Sequence, residues 1–195
     1  MSNVWYEEVP PTEKLMQGDI LLACPVATWD PDPKKLEVKA ENEVEILKGA
    51  IRAIQADIVI MTQACDLAQG HVKNVTLCPH VPLLEFRKRW ETKEREKSQN
   101  PTDKSWKSMC DDIEDGLIWN YALLNDGEAK SSKIEHRIVD FHYVFTLPRL
   151  FLESLIEQRG APRLRLLPPY REHLSQAFAR FYMRVGLPTP VTKAW

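Results

Sequence analysis

Asp57-Ile58-Val59-Ile60-Met61-Thr62 decides how this chain folds. Three β-branched residues and a methionine follow one another with no polar alternation, the pattern of a strand buried on both faces. A polar turn, Gln63 to Lys73, leads into Asn74-Val-Thr-Leu-Cys-Pro-His-Val81, a second strand expected to lie antiparallel to the first. Upstream, Gly18-Asp19 opens a short buried strand over Ile20 to Val26, and the prolines of Trp29 to Pro33 require a loop or turn. Leu36 to Ile54 fits both a strand alternation and a helical stripe, and its residues do not choose between them.

Further along the chain the texture changes. Glu85 to Lys97 is a charged helix anchored by Phe86 and Trp90, and Asn100-Pro101 ends it. Ser105 to Leu124 reads as another helix with Trp106, Met109, Ile113 and Leu117 as its stripe, so residues 85–130 form a helical insertion between strands. Ile138 to Leu147 returns to strand character, Pro148 to Gln158 forms a short helix, and Arg163 to Leu167 is extended. Pro168-Pro169 starts a last helix that Gly186 caps, spanning 168–186. Residues 1–17 lead in as a polar arm. The expectation is one α+β domain over residues 1–195.

The 195 residues, 44% hydrophobic and 28% charged, suffice for a substantial core. The longest uncharged apolar stretches, Ile20 to Trp29 and Ile58 to Cys65, are too short to span a bilayer. No membrane association is expected. The early acids Glu7 and Glu8 are unlike a leader, which points to a cytoplasmic protein whose four cysteines are reduced thiols. The net charge of −2 hides an asymmetry. Pro148 to Trp195 holds eight basic and three acidic residues, a balance of +5, and the rest of the chain carries −7. An arginine-rich segment suits RNA, another phosphate ligand or an acidic protein, unless the acidic half of the domain balances it.

Candidate chemistry lies in four places. On the last helix, Leu174, Phe178, Phe181 and Val185 share a core-facing sector, while His173, Gln176, Arg180 and Arg184 form a polar sector beside it. That polar face either grips a nucleic acid or protein partner or is ordinary solvated charge. Cys65, His71, Cys78 and His80 are metal-ligand residue types, but their spacing matches no common zinc pattern and no metal is assigned. Thr62 to Asp66 marks where a buried strand leaves the core. Cys65 is there a nucleophile activated by His80, or a small packing thiol with Asp66 capping the turn. His136 and His142 flank the Ile138 strand, with Asp140 between them on the same side as His142, and they offer acid/base or merely polar surface groups. No P-loop, GxGxxG or HExxH motif occurs, and no cofactor is expected.

Four segments carry a resemblance. Gly18-Asp-Ile-Leu21, Asp57-Ile-Val-Ile-Met-Thr62, Val75-Thr-Leu-Cys-Pro79 and Val139 to Arg149 follow in the order of strands in the MazF/PemK-like toxins. The resemblance implies a small SH3-like antiparallel β-barrel with a helical insertion and a C-terminal helix. It also implies an RNA-cleaving toxin or ribonuclease, a homodimer being one form. In that family an arginine followed by proline stands just before the second strand, where this chain has Gln55-Ala56. The family's catalytic Thr or Ser follows its proline and a hydrophobic residue, where this chain has Pro79-His80-Val81. The site is therefore a remodelled one, with Arg52, Thr62, Cys65, Asp66 and His80 as its candidate members. The alternative is a non-catalytic protein- or nucleic-acid-binding module of a bacterial defence or regulatory system.

Few apolar anchors mark residues 85–130, too few for a separate core. Limited proteolysis should therefore cut first near Gln99 to Asp103 or Asp126 to Ser132, and resistance at both with cleavage elsewhere would refute the placement.

Overall fold

The computed structural model describes residues 4–29 and 43–183. The fold is α+β with antiparallel strand pairing throughout, and no sheet among the described residues closes into a barrel. Its centre is a long hairpin of β2 (Ile20–Trp29) and β3 (Ile51–Ile60), joined to β4 (Asn74–Pro82) by pairing Ile58, Val59 and Ile60 with Pro79, Cys78 and Leu77. The decisive apolar run is a central strand, fully buried from Ile58 to Ile60. The strand also extends back to Ile51, because Ile51 to Ala56 pairs with Cys24 to Trp29 as a more exposed ribbon. Before it, the doubly patterned segment yields a short helix, α1 (Glu43–Ala50). The polar turn after β3 contains one further helix, α2 (Ala64–Gln69).

Residues 85–130 are not all helical. They hold α3 (Leu83–Glu96) and α4 (Asp103–Glu114), joined by tilted ring contacts of Trp106 with Phe86 and Trp90 and by Arg87, which pairs with Glu91 and Asp103. Gly116, at φ +69°, ends the second helix; its neighbours then enter β5 (Tyr121–Leu124) rather than continuing to Leu124 as helix. A small hairpin follows, β6 (Gly127–Ala129) and β7 (Ser132–Ile134). The single strand expected from Ile138 to Leu147 is two, β8 (Arg137–Asp140) and β9 (Phe145–Pro148), both pairing with β4. The interruption falls opposite Pro79, which has no N–H to give the ladder. The sheet order is β2-β3-β4-β8-β5, with β9 on the other half of β4.

The chain closes through α5 (Arg149–Arg159), β10 (Arg163–Leu166) and α6 (Tyr170–Tyr182). Residues 1–17 are more than an arm. Tyr6–Val9 forms β1, paired residue for residue with β10, and Tyr6 and Leu15 are buried. The described part of the last helix buries Leu174 while Phe178 and Phe181 are half-buried; Arg184, Val185 and Gly186 lie outside the described residues. Among the described residues no helix is long and apolar enough to cross a membrane.

One carboxylate ties these parts together. Asp19 is fully buried and receives Nε of Arg163 at 2.8 Å, two nitrogens of Arg165, and the backbone N–H of Met16. The arginines' remaining N–H groups go to the carbonyls of Pro10, Glu13 and Lys14. Alternation in β10 makes this possible: Leu164 and Leu166 face the core while Arg163 and Arg165 face Asp19. Burial works against charge on Arg165, yet the hydrogen bond and charge of Asp19 raise its pKa overall. Two of the C-terminal cations are therefore buried and committed to one internal carboxylate and to backbone carbonyls, and their N–H groups are not offered to a phosphate. Beside them Gly18, at φ +85°, is pressed so close to β10 that a Cβ would meet Leu166 Cβ at 3.1 Å.

Removing one partner from this triad strands the others in the interior. Asp19→Ala should cost about 3–5 kcal/mol in urea unfolding, far more than an exposed carboxylate substitution.

Candidate groove and buried polar chain

Two polar features of different kind occupy the molecule. The first runs inward from the surface. β2 carries a bulge in which Leu22 and Ala23 together oppose Asp57, with Ala23 at φ +48°. Asp57 Oδ1 accepts the Ala23 N–H at 2.8 Å, and Arg159 donates to the carbonyls of Leu22 and Ala23. The other Asp57 oxygen receives Arg137, whose Nε donates to His80 Nδ1 at 2.6 Å. His80 is 2% exposed and its Nε2 has no hydrogen-bond partner among the described residues. Burial first, and Arg137 second, push its pKa down to about 3, with the Ile58 backbone opposing weakly. Next to Arg137, burial pushes the Tyr6 hydroxyl up, and its proton goes to the Asn125 carbonyl at 2.6 Å. Gly127 lies flat on that ring, where a Cβ would come within 2.6 Å of Tyr6 Cδ2.

The five candidate catalytic residues do not gather. Arg52 is exposed on the outer half of β3, five residues from Asp57, roughly 17 Å of strand away from the end that meets His80. The cation at His80 is Arg137 instead. Thr62 Oγ1 accepts the Thr76 N–H at 2.7 Å and so closes the ladder between neighbouring strands. Cys65 is exposed, and its sulfur neighbours are the Gln63 amide and the Asp66 carboxylate, not an imidazole. Cys78 is buried, with its thiol pushed up to about 12 by burial and by Asp140, whereas His71 is exposed. Among the described residues no three His, Cys, Asp or Glu side chains stand together as a metal site.

The second feature is open. A groove of about 560 Å³ runs between α6, β5 and the end of α4. It gathers three of the four residues nominated on the last helix, His173, Gln176 and Arg180. Opposite them stand Glu114, Asp115 and Gly116, and Ala122 to Leu124 and Leu174 lie between. Trp5 stacks on Tyr170 along the groove, ring centres 3.9 Å apart and planes 11° apart. Arg180 makes no ion pair with any described residue, and its NH1 lies 3.2 Å from where a Gly116 Cβ would be. At the Tyr121 end, the Tyr121 ring meets His142 edge-on. Asp140 Oδ1 holds His142 Nδ1 at 3.0 Å and also accepts the His142 N–H, in the turn that follows β8. A shallower hollow on the other side of α6 collects Gln17, Cys65, Arg171, Glu172 and Ser175, with Gln176 standing between the two.

No protein-family model matches the chain, and no curated protein matches it. The resemblance to the MazF/PemK-like toxins rests on its four sequence segments alone. The groove's acidic wall and edge strand escaped the sequence because Tyr121 to Leu124 was assigned to a helix. The Asp115-Gly116 pair was the available signal, since glycine there ends a helix and starts a turn.

Unfolding returns His80 to its ordinary value near 6.5. The unfolded chain then binds the extra proton, so stability falls as pH drops from about 6.5 towards 3. His80→Gln keeps an acceptor for Arg137 and deletes the titration. Its urea-unfolding free energy should lose up to about 1.4 kcal/mol less per pH unit between roughly pH 6 and 4 than the parent protein loses.

Proposed function

We propose that this chain is a protein-binding module that holds its partner in the groove between α6, β5 and the end of α4. The observation that carries this reading is the groove's composition. One wall is acidic through Glu114 and Asp115, the other carries His173 and Arg180, whose guanidinium reaches across towards Gly116 and makes no ion pair with a described residue, and the floor is apolar. A polyphosphate backbone would meet the acidic wall and be repelled. A protein segment with charges of both signs about an apolar centre meets complementary groups throughout. The stacked Trp5 and Tyr170 supply the rigid aromatic area on which such contacts concentrate. We take the scaffold to be an opened relative of the SH3-like barrel. The bulged β2, bridged to β10 through Asp19 and Arg165, supports that reading.

A second reading, an RNA-cleaving toxin, is favoured by one observation. His142 is half-exposed and held through Nδ1 by Asp140, which leaves Nε2 free to take a proton from a ribose 2′-hydroxyl. Under that reading, purified protein degrades total RNA and His142→Ala abolishes the cleavage; under the protein-binding reading RNA stays intact.

A photo-cross-linking amino acid at Gln176, in the groove, and at Leu47, on the exposed face of α1, tests the binding reading in cells. Protein adducts should form at the first position only and should fall at least about tenfold when Arg180 is also changed to Glu. Adducts to RNA alone, or equal adducts at both positions, would remove the proposal.

A further inference from the structure

The strand that lines the groove is an edge. β5 is the last strand of the order β2-β3-β4-β8-β5 and pairs only with β8. Both of its faces are already covered. Tyr121 and Leu123 pack with Phe86, Ile113 and Ile138 under the α3–α4 pair, while Ala122 and Leu124 pack in the core beneath α6. What remains open is the backbone itself. In an antiparallel ladder alternate residues turn their N–H and C=O away from the paired neighbour. No described residue takes up those groups between Ala122 and Leu124; the nearest bonds are Tyr121 N–H to Ile118 and the Tyr6 hydroxyl to the Asn125 carbonyl. The free edge thus lies at the bottom of the groove, with α6 on one side and the end of α4 on the other.

We propose that the partner enters as an added strand on β5, in an extended segment whose side chains alternate between the two walls. This rests on the protein-binding reading. An added strand sends successive side chains to opposite faces. One set meets Glu114 and Asp115 and calls for Lys or Arg. The other meets His173 and Arg180 and calls for Asp or Glu, with small apolar residues at the centre over Ala122 and Ala177. A helical ligand satisfies its own backbone and leaves the β5 groups unpaired under it, which costs about 1–3 kcal/mol for each one buried. A second copy of this sheet edge brings its own flanking helices and does not fit between α4 and α6. A lone extended segment does both jobs.

The test uses the full chain as bait for a phage-displayed library of random dodecapeptides, with Arg180→Glu protein as the counter-selection. Synthetic peptides from the enriched clones are then bound to the parent protein while amide hydrogen exchange is followed residue by residue. The expected result is a sequence alternating basic and acidic residues, exchange slowed at least about tenfold at the outward-facing amides of Tyr121 to Asn125, and binding weakened about tenfold or more by N-methylation of alternate peptide amides. Peptides that need Arg180 but leave β5 exchange unchanged and tolerate N-methylation would overturn strand addition while sparing the protein-binding reading. A selection that enriches nothing dependent on Arg180 would overturn both.

Discussion

Two guanidinium groups on one buried carboxylate hold the beginning and the end of this fold together. Asp19 stands at the start of β2, and Arg163 and Arg165 stand 144 and 146 residues later in β10. Such a triad gains little net energy over an apolar replacement of the same shape, because all three charges lose their water. What it supplies is uniqueness. Only one register of β10 puts both arginines on Asp19 and both leucines in the core, so a slip by one residue strands two cations among apolar side chains. The turn from Pro10 to Lys14 is fixed by the same arginines, because its carbonyls take their spare N–H groups.

A second ionic chain does comparable work across the sheet. The β2 bulge leaves a backbone N–H without a ladder partner, and Asp57, the single residue opposite, supplies the acceptor. Its charge is answered by Arg137, and Arg137 in turn by a histidine kept neutral. Of the groups that look most like chemistry in the sequence, His80 is thereby committed to structure and Thr62 to the strand ladder, while Arg52 and Cys65 stand exposed and apart. The open groups are elsewhere, along α6 and the free edge of β5.

Much of the fold was legible. Asp57 to Thr62 read as a buried strand because β-branched residues without alternation have few other homes, and the strand after it was placed within a residue. Pro79 was visible too, but not that it would split a continuous apolar run into two strands. On the last helix Leu174 is buried while His173, Gln176 and Arg180 line the groove, a difference in burial that a 100° rotation per residue already sorts. What failed was long-range. Nothing local says that Arg163 and Arg165 point at Asp19, so they were counted among the cations available to a ligand. Nothing local links His80 with Arg137 rather than Arg52, since the two candidates differ only in which strand lies alongside. Tyr121 to Leu124 was lost because four residues of mixed propensity take their conformation from β8.

The pairing of β1 with β10 has a consequence for synthesis on the ribosome. Chain emerges from its N-terminal side, at about 5–20 residues per second. Tyr6 to Val9 and Asp19 are made early, but their partners from Arg163 to Leu166 come some 146 residues later. Until then the acid stays in water and the first strand has no ladder to join. The β2–β3–β4 sheet can assemble meanwhile, since its contacts are comparatively local. Completion of the domain is thus deferred to a late and nearly simultaneous event, in which one strand closes the core and two arginines capture a carboxylate made well over a hundred residues before them.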